Sequence, residues 1–121
     1  MRVRDYLNAA VQAARKAGTI QRERFRDAFP INFKGEKNLV TEVDRASEEA
    51  IIGSLRSAFP ECDILAEESG SVSGGSSLRW IIDPLDGTTN YAHGFPWFAV
   101  SIALEADGVM GVGVVFHPMM D

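Results

Sequence analysis

Apolar positions in the first thirty residues recur at spacings of three and four: Val3, Leu7, Ala10, Ala14 and Ala17. That period predicts one helix with a single apolar face over about residues 3–28. Pro30 ends it, and Ile31–Lys34 reads as a short edge strand before a turn or mobile loop at "KGEKN". Thr41-Glu42-Val43-Asp44 fits a capping box. The helix it opens, over about residues 43–58, carries Val43, Ala46, Ala50, Ile51, Leu55, Ala58 and Phe59 on one side before Pro60 stops it. The period then changes. Ile64–Ala66 reads as a short strand, "SGSVSGGSS" as a flexible loop, and Leu78–Ile82 as a strand buried on both faces. Pro96–Glu105 and Val109–His117 flank Asp107-Gly108, a strong hairpin signal. Gly111 and Gly113, on alternating positions, suggest close packing on one face of the last strand. The elements together predict an α+β fold, two helices packed on one side of a mostly antiparallel sheet.

Composition narrows this picture. A chain of 121 residues with 45% apolar side chains has enough material for one modest core and too much for wholesale disorder. Its apolar runs, such as Val112–Phe116, are too short to span a bilayer, and "MRVRDYLNAA" has no apolar stretch of the secretory type. Cys62 is the single cysteine, so no internal disulfide forms, and a cytoplasmic setting is expected. The net charge of −5 is unevenly spread. Residues 1–29 hold seven Arg and Lys against three acids, and residues 30–121 hold five against fourteen. The basic helix reads as a solvated face, with an RNA- or partner-binding surface as the alternative. The acidic remainder attracts cations, and those can hold an anion.

Two predicted strands end in acid: Ala66-Glu67-Glu68 and Ile82-Asp83-Pro84-Leu85-Asp86. Clustered carboxylates repel unless a cation lies between them. Hard oxygen donors suit Mg²⁺. Asp83 and Asp86, three apart around a proline, can present two carboxylates from one tight turn, and the Leu85 carbonyl is a further candidate donor. Gly87 lets backbone approach a ligand, and Thr88-Thr89-Asn90 can open a helical turn whose amides meet an anion. Metal ligands beside an anion-binding turn suit attack on a phosphate ester. A Walker-type loop is excluded, because no Gly-Lys-Ser/Thr follows the glycines. His93 reads as a turn or surface residue, and Trp80, Phe95, Trp97 and Phe98 as core and strand-end packing.

"WIIDPLDGTTNYAHGFPWFAVSIAL" resembles the signature of the inositol monophosphatase family, Mg²⁺-dependent and lithium-sensitive phosphatases. Asp83 to Thr88 match the family's D-P-[LI]-D-G-T in full. "AEES" resembles its Gly-Glu-Glu-Ser with Ala66 for glycine, and "KGEKNLVTEVDRASEEAI" resembles its early Lys…Leu-Val-Thr…Asp segment.

The resemblance implies the N-terminal part of the family's αβαβα sandwich. It implies Mg²⁺ held by Glu67, Asp83, the Leu85 carbonyl and Asp86, and a water oriented by Glu67 and Thr88. Phosphate would meet the amides of Gly87 and Thr88. Glu68 and Asp44 are expected to support waters or the threonine network, with helix capping as the other account of Asp44. Lys34 is expected in a loop over the metals, with an ordinary solvated lysine as the other account. The implied activity is hydrolysis of a phosphate monoester, foremost inositol 1-phosphate, in a cytoplasmic enzyme of twice this length, with a homodimer left open. The family's later Trp-Asp-x-Ala-Ala-Gly motif, which supplies another acid, is not among these residues. They are therefore expected to form a metal-binding domain, residues 1–121, inactive without its C-terminal counterpart. The alternative is a non-catalytic interaction module of the transcription antitermination and RNA machinery, a role taken by one bacterial branch of the family.

Overall fold

The computed structural model describes residues 2–28, 33–66, 70–72 and 76–120, without the side chains of residues 27–39 and 67–75. Two long helices, α1 (Val3–Ala28) and α2 (Phe33–Ala58), precede a sheet of β1 (Asp63–Ala66), β2 (Gly70–Val72), β3 (Leu78–Asp86), β4 (Ala99–Ala106) and β5 (Val109–Phe116). A short helix, α3 (Thr88–Ala92), interrupts the path from β3 to β4. The strand order is β2-β1-β3-β4-β5, and among the described residues β1–β3 is the one parallel pair. The α+β class and the mostly antiparallel sheet expected from the sequence are both present.

The face of α1 differs from the expected one at its start. Val3 and Leu7 are exposed, and the buried stripe is Tyr6, Ala10, Ala13, Ala14, Ala17, Gln21 and Phe25. Tyr6 reaches across to stack on Phe59, with ring centroids 4.0 Å apart, and leans on Trp80 at 6.2 Å. That large anchor rotates the buried face by one residue from the Val3–Leu7 line. The small residues beyond it bring α1 down onto the sheet. A Cβ placed on Gly18 would lie 2.3 Å from the Phe116 ring, so any larger residue at this crossing would have to displace that ring.

Helix α2 starts ten residues before the expected position. Phe33 and Lys34 are helical, not an edge strand, and Gly35–Asn38 continue the helix, not a turn or loop. Ile31 and Asn32 lie outside the described residues. Lys34, Glu36 and Lys37 are good helix formers, and a single glycine among them costs only about 1 kcal/mol. Lys34 is therefore in the first turn of α2, not in the expected loop over the metals. Thr41 and Asp44 sit inside the same helix, and the capping role for Asp44 falls away.

The sheet corrects three further expectations. Part of the Ser/Gly-rich segment is a strand: Gly70–Val72 pair antiparallel with β1. Strand β3 runs on past Ile82 to Asp86. Gly111 and Gly113 face outward; a Cβ on Gly113 would meet nothing within 4 Å, and one on Gly111 only the Leu104 carbonyl at 3.9 Å. They mark an open face beside exposed Val109 and Val115, not a close approach. The hairpin itself is as expected. Asp107 and Gly108 both have positive φ, 50° and 83°, the geometry of a tight turn between right-twisted strands.

Trp80, Ile82, Ile64, Val100, Ile102 and Leu104 turn toward α1 and α2 and form the main core with Ile51 and Leu55. A second cluster of Phe25, Val43, Leu85, Tyr91 and Phe98 sits beyond it at the C-terminal end of β3. Phe98 is buried as expected. Phe95 and Trp97 are not, at 58% and 49% exposure, because the segment before β4 runs along the surface. Cys62 is buried at the entry to β1, and burial pushes its thiol up to about 11. Among the described residues no helix is long and apolar enough to cross a membrane.

Candidate metal and phosphate site

The end of β3 is where the candidate residues gather. Asp83 pairs with Ser101, but Asp86 pairs with Ala99. Three steps along β3 thus oppose two along β4, which defines a bulge at Pro84-Leu85. The expected tight turn is a bulged strand. Proline suits that place because it has no N–H to give the ladder.

The bulge has a consequence for the carboxylates. In a regular strand, residues three apart point to opposite faces. Here burial runs Trp80 in, Ile81 partly out, Ile82 in, Asp83 partly out, then Pro84 and Leu85 both in, and Asp86 out. The doubled inward step returns Asp86 to the face of Asp83. Leu85 anchors the arrangement by inserting into the Phe25, Val43, Tyr91 and Phe98 cluster.

Gly87 follows with φ 96° and ψ 39°, the left-handed conformation, and caps α3. A Cβ there would approach the Trp97 carbonyl to 3.1 Å and the Phe98 Cα to 3.3 Å. Backbone angle and crowding both call for glycine. Helix α3 begins with the Tyr91 amide donating to the Gly87 carbonyl at 3.0 Å. The amides of the residues before Tyr91 precede the first intrahelical bond. Thr88 is exposed at this start. Asn90 ties the turn down by donating from Nδ2 to the Trp97 carbonyl at 2.8 Å. His93 has the expected turn role: Nδ1 donates to the Thr89 carbonyl at 2.7 Å.

Helix α2 contributes a buried polar face of Asp44, Ser47 and Glu48. Their spacing of three and four places them one above another. Ser47 meets the β3 bulge through Gln21, whose Nε2 donates to Ser47 Oγ at 3.1 Å and to the Pro84 carbonyl at 2.6 Å. Gln21, Ser47 and Glu48 escaped the sequence reading. A signal existed for Gln21, which falls four residues after Ala17 on the apolar stripe of α1.

The structure thus brings Asp83, Leu85, Asp86, Gly87 and Thr88 into one segment, with Asp44 on the helix packed behind it. Glu67, Glu68 and the Lys34 side chain lie outside the described residues. Among the described residues no three His, Cys, Asp or Glu side chains converge as a metal cluster. The candidate donors at this strand end, the Asp83 and Asp86 carboxylates and the Leu85 carbonyl, are all oxygens. That set fits a hard cation such as Mg²⁺ and not a soft one.

The basic helix is partly committed within the chain. Arg24 pairs with Glu42 at 2.7 Å, and Arg22 donates to the Pro118 carbonyl. Arg15 lies over the Phe116 ring at 5.8 Å.

The chain matches the model of the inositol monophosphatase family over residues 2–121. It is 47% identical over 116 residues to the Nus factor SuhB of Pasteurella multocida, covering 93% of this chain and 43% of that protein. It is 47% identical over 118 residues to the inositol-1-monophosphatase of Mesorhizobium japonicum, covering 95% and 44%. Among solved structures, the inositol monophosphatase from Anabaena superposes with a TM-score of 0.85 at 39% identity, over 100% of this chain and 43% of that one. The chain therefore spans less than half the length of these relatives.

Proposed function

The chain belongs to the inositol monophosphatase family, and on that premise we propose that its β3 end is the metal- and phosphate-binding part of a phosphate-monoester hydrolase. The observation that carries this reading is the bulge that sets Asp83 and Asp86 on one face directly before a glycine-capped turn. Glu67, Asp83, the Leu85 carbonyl and Asp86 are the proposed holders of Mg²⁺. Bound Mg²⁺ supplies positive charge to the phosphate oxygens and lowers the pKa of a coordinated water. Gly87 and Thr88 offer amides to the phosphate, at a helix start that favours an anion. The Thr88 hydroxyl and the Glu67 carboxylate orient the attacking water by accepting hydrogen bonds from it. Asp44 and Glu68 support them from behind.

Inositol 1-phosphate is the proposed substrate, in a cytoplasmic, lithium-sensitive enzyme. The test is phosphate release by the complete protein against a panel of inositol and sugar phosphates, with Mg²⁺ varied and Li⁺ added. Turnover that persists in excess EDTA overturns the reading. Thr88→Ala is expected to lower kcat by about 10²-fold, the scale of a loss of positioning at the reacting group. Mg²⁺ dependence should be retained, because only the hydroxyl is lost. An unchanged kcat removes Thr88 from the chemistry.

These residues are read as the N-terminal part of the enzyme. The Trp-Asp-x-Ala-Ala-Gly acid of the family is not among them. Expressed alone, the 121 residues are expected to release no phosphate. Release by them, free of the complete protein, would show that further acid to be dispensable.

A second reading rests on the similarity to a protein named as a Nus factor. It makes the chain an interaction module for the RNA polymerase machinery, using the basic α1. RNA or polymerase binding that weakens with salt and survives Asp83→Asn supports it. Arg22 and Arg24 are already engaged within the chain, which limits the surface α1 has for this role.

A further inference from the structure

We propose that Gln21 is a positioning residue for the candidate site: from α1, its side-chain amide holds the β3 bulge that sets Asp83 and Asp86 on one face. The proposal rests on the metal-site reading above and deepens it.

The bulge creates a need. Between Asp83 and Asp86 the β3–β4 register breaks, so Pro84 stands outside the regular ladder. Pro84 is fully buried. A buried carbonyl without a donor costs free energy comparable to a lost hydrogen bond. The Gln21 amide meets that need at 2.6 Å, across 63 residues of sequence.

The amide is fixed in orientation and shared. The Pro84 carbonyl can only accept, so the Nε2 side must face it. The second hydrogen goes to Ser47 Oγ at 3.1 Å. One NH₂ group thereby joins α1, α2 and β3. A further bond fixes Gln21 from its backbone side, where the Tyr91 hydroxyl donates to the Gln21 carbonyl at 2.9 Å. Tyr91 belongs to α3, the helix that Thr88 begins. Burial raises the Tyr91 hydroxyl above its ordinary pKa and keeps it a donor. Gln21 thus links both sides of the candidate site, the carboxylate-bearing bulge and the phosphate-facing turn.

Packing alone does not account for a glutamine here. Position 21 lies on the buried stripe of α1 between Ala17 and Phe25 and is itself fully buried. Its Oε1 has no hydrogen-bond partner among the described residues. A side chain present only to fill space would be Leu or Met, without the cost of burying an amide.

The test is Mn²⁺ affinity by titration calorimetry, Mn²⁺ serving as the probe for the Mg²⁺ site of the complete protein. Gln21→Met keeps the length and removes both donors. Its Mn²⁺ affinity is expected to fall about tenfold, the scale of a group that orients ligands without touching the metal. Ser47→Ala removes the amide's other acceptor and leaves the Pro84 bond, so its affinity should stay within about twofold of wild type. Wild-type affinity in Gln21→Met, or an equal loss in Ser47→Ala, overturns the proposal, since the second result would mean that general packing and not the Pro84 bond matters. Should Gln21→Met fail to fold, Gln21→Asn, one methylene short of Pro84, reads the same bond. Asp83→Asn separates the two levels. If it binds Mn²⁺ as wild type does, the site reading fails and Gln21 falls with it. If it loses Mn²⁺ while Gln21→Met keeps it, only the Gln21 proposal falls.

Discussion

Asp83→Asn in the complete protein is expected to abolish phosphate release, with a loss well beyond the roughly 10–100-fold typical of a group that merely supports a ligand. The substitution is nearly isosteric, so the bulge and its neighbours survive it. What changes is charge. One formal negative is removed from the face that Asp83 shares with Asp86, and an amide oxygen is a weaker donor to a hard cation than a carboxylate. Excess EDTA should reproduce the loss in the wild-type protein, and added Mg²⁺ should restore it there but not in the variant. Asp107→Asn, at the tip of the β4–β5 hairpin and far along the chain from the bulge, is the matched control and should keep the wild-type rate. Steady-state phosphate release with a melting curve for each variant decides the matter. A variant at Asp83 that stays folded and keeps even a tenth of the rate would mean that this carboxylate shapes the strand end and holds no catalytic metal.

The reason Asp83 could be named from sequence is that its chemistry is local. Two carboxylates, a proline, a glycine and a threonine within six residues mark the candidate site in the sequence itself. The span of α1 was legible for the same kind of reason, since a helix period sustained over 26 residues has few alternatives. Long-range geometry was not legible. The Asp83-to-Asp86 spacing suggests a turn, and only pairing with Ser101 and Ala99 turns it into a bulge. Asp44 matches a capping box in its local sequence, yet α2 begins at Phe33, because good helix formers carry the helix through Gly35. Gln21 is a lone polar residue on an apolar stripe until Pro84 arrives beside it from 63 positions away. The outward glycines of β5 fail for the opposite reason: alternating glycines fit either a close contact or an open face, and the sequence around them does not distinguish the two.

Trp80→Ala is expected to be the most damaging single change outside the site, at about 3–5 kcal/mol, the range for removing a large aromatic from a core. Trp80 is fully buried near the start of β3, paired with Ile64 of β1 on one side and Leu104 of β4 on the other. Its ring meets Tyr6, which in turn stacks on Phe59, so the cavity would open where α1, α2 and the sheet meet. Against a typical total of 5–15 kcal/mol, such a loss removes roughly a third or more of the stability of an average domain. Trp80→Phe separates two contributions. The indole Nε1 has no hydrogen-bond partner among the described residues, and removing a buried unsatisfied donor recovers about 1–3 kcal/mol. The lost ring area and the smaller cavity work in the other direction, so the net cost should stay under about 1.5 kcal/mol. Chemical denaturation of the two variants measures both numbers. Because Trp80 points into the main core while Asp83 lies on the other face, the folded fraction of either variant should retain its Mn²⁺ affinity. A Trp80→Ala cost below about 1 kcal/mol would mean that this tryptophan does not hold the helices to the sheet, since a fully buried ring cannot be removed from a close-packed core that cheaply.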